Sequence, residues 1–552
     1  MNLLDAHLLS LLFLLPILAA LGCAAFPAAE PRGVRGFALL ASLLGLFLGV
    51  LACSRFDAGA TGLQLVERLP WIPSLGIAYH LGVDGLSLPL VLLTLVLTPV
   101  AILACPASQP QVRGMLACLL LLQAAVLGAL LAADLFLFYI CYEMALLPAY
   151  LLVGIWGSSG RLAAALRFVV YSMASSLVML FALVVTVLWV ADGQLTFETA
   201  EVARRLALRP MLDWEPYLCG ALLFAFAVKL PLFPCHTWLP DTYGAAPAAG
   251  TVLLAGVLGK LGAYGILRYA CTLFPFAAWQ LLPYLALLGV LGLLYGALLA
   301  CVQGDLRRLL AYASLSHLGL TVLGIAAMEP LALAGSLVQM VGHGVSTAGL
   351  FLCAGYLVAR RGSSRLTSFG GLAAQMPLGA AAFLLLTLSS IGLPGLQGFV
   401  GEFLILLGAY RGGLQVAVLV ATLGTVLAAI YMLRAVQQIF FGPAGAPVAD
   451  LEGRELAALA PLLLLSLGLG LYPQPLLRLV DASASAYVLQ FRAQLGLSED
   501  GRGRPQRPVT AAAPGLPGGR SAGQAPVDAS LYERQRALPW RQPQPAIQGA
   551  QP

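Results

Sequence analysis

The sequence predicts an all-α polytopic membrane protein of about fourteen transmembrane helices, and three observations support this fold class. Of the 552 residues, 60% are apolar and only 10% are charged, whereas soluble domains carry roughly 25% charged residues. Apolar stretches of about 20 residues, each long enough to cross a bilayer, recur almost to the end of the chain. Two of these stretches are interrupted by proline or glycine, one beside Lys229 and one before Glu402. A small soluble enzyme is therefore excluded.

The predicted spans follow one another through mostly short loops. The first has no basic leader followed by a cleavage site, so we interpret it as a retained helix and not as a signal peptide. In chain order the spans are predicted near residues 7–28, 36–54, 82–104, 114–133, 135–156, 164–190, 217–234, 247–270, 280–302, 306–327, 331–358, 378–410, 416–440 and 456–473.

Three segments differ from these spans in composition. Residues 192–215 are polar and are expected to form a loop that holds a short amphipathic helix. Residues 475–495 are expected to be either an interfacial helix or a loose end. Residues 496–552 are rich in Pro, Gly, Gln and Arg and lack apolar periodicity, which predicts a disordered tail.

The motifs of soluble cofactor sites are missing from the sequence. The ten cysteines occur singly, without C-x-x-C spacing, so we interpret them as buried apolar residues and not as ligands of a metal or an iron–sulfur cluster. No glycine-rich phosphate-binding motif follows a predicted strand. We therefore expect neither a nucleotide site nor a redox centre.

The distribution of arginine predicts the orientation in the membrane, because cytoplasmic loops carry an excess of Lys and Arg. The loops on the richer side contain Arg32, Arg35, Arg113, Arg161, Arg307, Arg308, Arg360, Arg361, Arg365, Arg434 and Arg454. The short loops on the other side are assigned Arg55, Arg68, Arg268 and Arg411. The richer side is predicted to be cytoplasmic, and an even number of spans then puts both termini in the periplasm. The net charge of +6 reflects this asymmetry and does not indicate a nucleic-acid partner.

The two interrupted spans suggest a transport pathway. Lys229 lies in an apolar run and is followed by Pro231 and Pro234, and the segment 391–398 contains Gly-Leu-Pro-Gly before Glu402. A charge at bilayer depth costs about 2.5–3.5 kcal/mol on insertion scales, so it seldom occurs there without a function or a partner. Broken helices are tolerated only inside protein or beside a wet cavity, and paired broken helices are typical of transporters.

Seven ionisable residues fall within or beside predicted spans. A lone histidine in an apolar helix is more often structural than functional. Together with two lysines and two glutamates, however, the histidines favour a proton relay. The seven residues are Glu143, Lys229, His236, Lys260, His317, His343 and Glu402.

The position of Glu143 in the membrane can be interpreted in two ways. It could be a carboxylate near the membrane interface, since Asp134 begins the same segment. Nine residues of helix correspond to about 13 Å of rise, which instead puts Glu143 well into the core. Lys229 is its natural cationic partner. A pair in which burial and mutual attraction are balanced can take up and release a proton when one partner moves.

The chain resembles the subunit M family of antiporter-like membrane subunits of the bacterial proton-pumping NADH:quinone oxidoreductase (complex I). The resemblance extends from about residue 71 to 473 and is carried by many motifs in the family's order. They are Trp-Ile-Pro at 71–73, His-Leu-Gly-Val-Asp-Gly-Leu-Ser at 80–87, Tyr-Glu-Met at 142–144, Ala-Val-Lys at 227–229, Pro-Cys-His-Thr-Trp-Leu-Pro-Asp at 234–241, Tyr-Gly-Ala at 295–297, Asp-Leu-Arg-Arg-Leu at 305–309, Ser-His-Leu-Gly at 316–319, Gly-Leu-Pro-Gly at 392–395, Gly-Phe-Val-Gly-Glu-Phe at 398–403 and Tyr-Met-Leu-Arg at 431–434.

The resemblance implies a fold, a set of partners and a role. The fold is antiporter-like, with N-terminal transmembrane helices (1–110), two inverted five-helix repeats (111–270 and 271–440), a C-terminal helix with an interfacial segment (441–495) and the tail (496–552). The implied partners are the bilayer and the other membrane-arm subunits of complex I in the bacterial inner membrane, including two paralogous antiporter-like subunits. The subunit is implied to carry no cofactor of its own and to move a proton while other subunits pass electrons to quinone.

The resemblance also assigns roles to six of the seven residues. Glu143 and Lys229 are implied to be the coupling pair of the first half-channel. Lys260 and His317 are the central connection, His343 continues the path, and Glu402 serves the exit side. Glutamate at position 402 is typical of subunit M, whereas the two paralogues carry lysine there.

The chain departs from the family's usual pattern after the first broken helix. Where the family commonly has Asp-Ala-His-x-Glu-Ala-Pro-Thr, this chain has Tyr243 and Ala245 at the histidine and glutamate positions, and Arg167 stands where lysine is usual. We expect the segment 241–248 to be a loop that tolerates substitution.

Two other functions remain open at this point. The chain could be a subunit of a multisubunit cation/proton antiporter or of a membrane-bound hydrogenase. A permease for an organic substrate is disfavoured, since no cluster of residues suits an organic ligand and the charges are instead distributed among the spans.

Overall fold

The computed structural model describes residues 6–27, 30–106, 108–443 and 445–497. These residues form a helical membrane protein with one two-stranded antiparallel sheet. The predicted disordered tail, apart from its first two residues, lies outside the described residues.

The helices are numbered here in chain order. The first nine are α1 (Leu8–Ala25), α2 (Pro31–Arg55), α3 (Leu88–Ala104), α4 (Val112–Leu131), α5 (Leu135–Trp156), α6 (Arg161–Val190), α7 (Thr199–Leu208), α8 (Glu215–Lys229) and α9 (Leu239–Ala245). The others are α10 (Ala248–Cys271), α11 (Pro275–Val302), α12 (Leu306–Ala326), α13 (Pro330–Arg361), α14 (Pro377–Ser390), α15 (Gln397–Arg411), α16 (Gln415–Phe440), α17 (Gly453–Leu471) and α18 (Gln474–Gln494). The strands are β1 (Gln64–Ile72) and β2 (Ile77–Val83).

The membrane-spanning helices agree with the predicted number. Eleven helices in the described part are long and apolar enough to cross a membrane. The shorter apolar helix α3 is a twelfth span, and the broken pairs α8–α9 and α14–α15 are the other two. The predicted span 378–410 is thus two helices separated by residues 391–396, which contain the glycines and the proline of its interruption.

The β-hairpin was not predicted, and it shortens the third span at its beginning. The two strands pair Glu67 with Leu81 and Pro70 with Ala78, so residues 82 and 83 belong to β2 and not to a helix. The carboxylate of Glu67 accepts hydrogen bonds from the backbone N–H of Leu9 (2.6 Å) and of Ser10 (3.2 Å). The hairpin therefore caps the first turn of α1, where four N–H groups lack partners within the helix.

The two polar or ambiguous segments are helical. Helix α7 is the predicted amphipathic helix; it buries Val202 and Leu206. On its exposed face, the guanidinium groups of Arg204 and Arg205 lower the pKa of Glu201 to about 2. The uncertain segment 475–495 forms α18, which buries one side chain per turn, including Val480, Ala484 and Val488, and packs against α13.

Burial differs sharply among the spans. The apolar windows of α10 and α13 are completely buried and that of α12 is 94% buried, whereas those of α16 and α17 are only 28% buried. Helices α10, α12 and α13 therefore form the centre of the molecule, enclosed by the others. They carry Lys260, His317 and His343, so the predicted titratable residues lie where the protein is most shielded.

Candidate functional site

The first broken helix ends at a buried lysine. Helix α8 stops at Lys229 because Pro231 and Pro234 cannot donate the next backbone hydrogen bonds. The indole Nε1 of Trp238, at the start of the next helical segment, donates to the carbonyl of Val228 at 3.0 Å and fixes the end of α8. Lys229 is thereby held in the protein interior, with only 1% of its surface exposed.

The Lys229 ammonium is directed at an aromatic ring and not at a carboxylate. Its Nζ lies 4.3 Å from the ring centroid of Tyr142. Among the described residues, neither Lys229 Nζ nor Glu143 Oε1 has a hydrogen-bond partner, and the two side chains form no ion pair within 4 Å. They still interact electrostatically, and Ser176 lies against the Glu143 carboxylate. The expected pair is therefore open in this structure.

Lys260 occupies the middle of the molecule on an irregular helix. Helix α10 contains two π-helical segments, Leu254–Leu258 and Ile266–Cys271, one on each side of Lys260. The Lys260 ammonium donates to the carbonyl of Ala255 at 2.6 Å, inside the first of these segments. Such π-helical turns are frequent at functional sites. Here the irregular turn provides a carbonyl acceptor for a buried cation.

The second contact of Lys260 is a histidine on the neighbouring helix. Lys260 Nζ lies 2.9 Å from His343 Nδ1. This distance requires α10 and α13 to approach closely, and glycines make that possible. A Cβ added to Gly344 would lie 2.7 Å from the carbonyl of Gly256, closer than packed atoms allow, so glycine is required there for steric reasons.

The chain of polar side chains continues from His343 through His317 to Glu402. The two imidazole rings lie with their centroids 5.6 Å apart. His317 Nδ1 is 3.3 Å from Glu402 Oε1, and His317 Nε2 is 3.2 Å from the hydroxyl of Ser390. Four buried titratable groups from four helices therefore form a single row. We call this row, Lys260–His343–His317–Glu402, the central chain.

The second broken helix fixes the last member of the central chain. Gly392 adopts φ +74°, and a Cβ at this position would lie 2.6 Å from Glu402 Oε2. Glycine is therefore required at position 392 for two reasons: the backbone is left-handed there, and the Glu402 carboxylate occupies the space of a Cβ. The interruption between α14 and α15 lets the Glu402 carboxylate reach His317.

The two groups of charges are adjacent. A Cβ added to Gly259 would lie 3.8 Å from the backbone carbonyl of Lys229. The end of α8 therefore lies beside the turn of α10 that immediately precedes Lys260. Five of the six principal candidate residues are buried, and Glu143 is half-buried beside them.

The seventh candidate, His236, stands apart from them. It lies in the interruption between α8 and α9, is buried, and packs against Phe233 and Tyr295 at centroid distances of 5.7 Å and 5.0 Å. Its Nδ1 has no hydrogen-bond partner in the described part of the chain. The structural reading of a lone histidine fits this residue.

A buried ion pair was missed in the sequence. Arg268, assigned above to a short loop, lies in α10 and forms an ion pair with Asp84 in the turn before α3. Its Nε also donates to the hydroxyl of Tyr264 at 3.0 Å. The position of Arg268 eight residues after Lys260 in an apolar run was the available signal. The pair anchors the second π-helical segment of α10 to the N-terminal region.

Replacing Asp84 by asparagine should destabilise the protein. The amide keeps the acceptor that caps the Leu86 and Ser87 N–H groups but leaves the Arg268 guanidinium buried without a counter-charge, which costs about 3–5 kcal/mol. We expect less assembled protein and a lower unfolding temperature in detergent. The matched control is Glu201→Gln, which breaks two solvent-accessible ion pairs on α7 and should change little. Equal stability of Asp84→Asn and the wild type would contradict this account.

Most of the segment 241–248 is helical, so the expectation of a loop there is wrong. Residues 239–245 form α9, and Tyr243 is buried with its hydroxyl donating to the carbonyl of Leu254 at 2.9 Å. Ala245 is buried as well, so a glutamate there would place a charge in a packed site. Asp241 receives ion pairs from both Arg167 and Arg308. Arg167 therefore connects α6 to the arginine-rich end of α12.

A polar surface cavity of about 410 Å³ opens at this end of the molecule, and its lining includes Arg167, Asp241, Asp305, Arg308 and Ser364. Within the ranges that the structure describes, no group of three His, Cys, Asp or Glu residues could hold a metal ion.

Known proteins share this fold and much of the sequence. The family model described as "NADH:quinone oxidoreductase/Mrp antiporter, TM" matches residues 132–428. The NADH-quinone oxidoreductase subunit M of Rhodobacter capsulatus is 36% identical over 512 residues, which cover 89% of this chain and 98% of the relative. A chain of respiratory complex I from Thermus thermophilus with bound NADH has a TM-score of 0.78 at 32% identity, covering 87% of this chain and 99% of that one. A chain of the Mrp complex from Dietzia sp. DQ12-45-1b has a TM-score of 0.79 at 24% identity, covering 88% and 98%, and thus shares the fold.

Proposed function

This chain belongs to the NADH:quinone oxidoreductase/Mrp antiporter family of transmembrane subunits, and from that premise we infer that it is the proton-translocating subunit M of a bacterial NADH:quinone oxidoreductase. It contributes no redox centre; it couples quinone reduction elsewhere in the complex to the movement of H⁺ through buried Glu, Lys and His residues. The observation that best supports this proposal is the central chain, in which Lys260 Nζ lies 2.9 Å from His343 and His317 lies 3.3 Å from Glu402.

The central chain suits stepwise proton transfer. The Lys260 ammonium can donate to His343 Nδ1 along an existing contact. His317 Nδ1, once protonated, faces the Glu402 carboxylate directly. The longer step between the two imidazoles, with centroids 5.6 Å apart, requires a ring rotation or a bridging molecule. Transfer between the two imidazoles therefore controls whether a proton passes along the central chain, because the contacts on both sides of this step are already within hydrogen-bonding distance.

The first half-channel supplies the other two groups. Glu143 and Lys229 form a pair that can be open or closed, and the end of α8 lies beside the turn before Lys260. Closing the pair stabilises the charges of both groups, whereas opening it leaves a buried Lys229 and a half-buried Glu143 without each other's direct contact. A change that opens or closes this pair therefore alters the tendency of Glu143 to hold a proton.

We propose the orientation and the organisation that the sequence predicts. The arginine-rich end, with the polar cavity around Asp241, faces the cytoplasm, and both termini face the periplasm. The repeats 111–270 and 271–440 each contain one broken helix, α8–α9 and α14–α15. The exposed apolar surfaces of the outer helices contact lipid and the neighbouring membrane-arm subunits, among them the two paralogous antiporter-like subunits.

A subunit of a multisubunit cation/proton antiporter is the alternative, since the likeness to the Mrp chain is equally close in shape. The two functions predict different complexes. We expect the native complex, purified through a tag on this chain, to contain a peripheral arm and to catalyse NADH:quinone oxidoreduction. Isolation of an assembly that exchanges Na⁺ for H⁺ and lacks any NADH-oxidising activity would favour the antiporter.

A further inference from the structure

Tyr142 faces one member of the first half-channel pair and directly precedes the other in sequence. Its ring faces the Lys229 ammonium, with Nζ 4.3 Å from the ring centroid. Its neighbour in sequence is Glu143, and successive residues of an α-helix point about 100° apart. The ring face and the carboxylate are therefore two separate positions at which the same ammonium can be stabilised. In this structure the ammonium is at the ring.

The ring is fixed so that its face stays directed at the lysine. Tyr142 is completely buried, and its hydroxyl donates to the carbonyl of Ala225 at 3.4 Å, one turn before Lys229 on α8. Phe138 and Phe226 pack against the ring at centroid distances of 5.4 Å and 6.1 Å. A ring held on three sides by α5 and α8 cannot turn its edge toward the ammonium.

Among the described residues, no hydrogen-bond acceptor contacts the ammonium at this position. Its Nζ faces the ring directly, while Glu143, with no oxygen within 4 Å of Nζ, acts on it only electrostatically. The attraction between a cation and an aromatic face is strongest where water is excluded. It is nevertheless weaker than a direct contact with a buried carboxylate. A side chain with four carbons in its stem can move between the two.

We propose that Tyr142 is a positioning residue that holds the Lys229 ammonium over its ring, away from Glu143, and thereby populates the open state of the pair. This inference rests on the proposed function, because it assigns a role within the same half-channel. Without the ring's attraction the ammonium would remain on Glu143, and the pair would stay closed. The electron-rich face of the ring, and not its bulk, is what the mechanism requires.

The experiment replaces Tyr142 in the complete complex by phenylalanine and by phenylalanines carrying one, two or three fluorine atoms. Fluorine withdraws electron density from the ring face and weakens its attraction for a cation, while the ring keeps nearly the same shape. We expect the rate of proton pumping into membrane vesicles to fall with each fluorine, by about tenfold from phenylalanine to the trifluorinated ring. The same series at Phe383, a buried ring that packs against Phe440 and not against Tyr142, should leave pumping unchanged.

Equal pumping along the series at position 142, in complexes assembled to equal amounts, would overturn the proposal. Tyr142→Leu provides a second measure that does not depend on fluorination, since it removes the ring and should lower pumping at least as far as the trifluorinated variant. Wild-type pumping in Tyr142→Leu would also overturn it. Failure of the proposed function has a different signature: Lys229→Ala would then pump normally, whatever the fluorinated series shows.

Discussion

The Glu143→Gln complex is expected to assemble normally and to lose proton pumping by about a hundredfold, the lower end of what a positioned proton-transfer group contributes. Glutamine has the size of glutamate and keeps a polar contact for Ser176, so packing around position 143 in α5 should be preserved. It cannot take up a proton or stabilise the Lys229 ammonium. NADH-driven acidification of inverted membrane vesicles measures the loss.

Glu143→Asp is the matched control for this substitution. The shorter carboxylate still titrates, so it should retain part of the pumping that glutamine loses. If Glu143→Gln pumps at the wild-type rate, Glu143 is a structural acid and the first half-channel does not pass through it.

At position 229, alanine is expected to damage pumping more than arginine does, and both should fall well below the wild type. Alanine removes the charge from a completely buried site and leaves Glu143 without its electrostatic partner. Arginine restores a cation for Glu143 and can stack on the Tyr142 ring, but its guanidinium does not release a proton. We therefore expect Lys229→Arg to assemble better than Lys229→Ala and still to pump poorly, by about tenfold or more.

This comparison separates a fixed charge from a titratable one. Native gels report assembly, and vesicle acidification per NADH oxidised reports pumping. Wild-type turnover in Lys229→Arg would mean that the site needs only a permanent cation, and the exchange of a proton at Lys229 would have to be abandoned.

The sequence predicted most of the membrane fold because the apolar runs, the prolines after Lys229 and the glycines before Glu402 determine where helices begin and end. It pointed to the six principal candidate residues for a related reason, since charges in apolar helices are rare; their role in proton transfer stays a prediction. The β-hairpin escaped prediction since Ile77–Val83 leads directly into the apolar run of α3, and alternation over so short a strand is hidden by its nearly complete burial.

The contacts within the site could not be read from spacing. That Lys260 contacts His343, 83 residues away in sequence, depends on the close approach of α10 and α13 at Gly256 and Gly344. Lys229 was paired with Glu143 on chemical grounds, whereas the direction of its side chain depends on the tertiary position of the Tyr142 ring. The Asp84–Arg268 pair was missed because counting the arginines near a loop does not show whether each one lies within the end of a helix or in the loop that follows.

The most direct measurement of the central claim is the number of protons taken up per NADH oxidised by vesicles that contain the purified complex with Lys260→Met. Methionine fills the space of the lysine stem but cannot donate to His343 or carry a proton. The account predicts that the Lys260→Met complex takes up fewer protons per NADH than the wild type, because the central chain is interrupted at its first member. The same number of protons per NADH in both complexes would contradict proton transfer through Lys260, His343, His317 and Glu402.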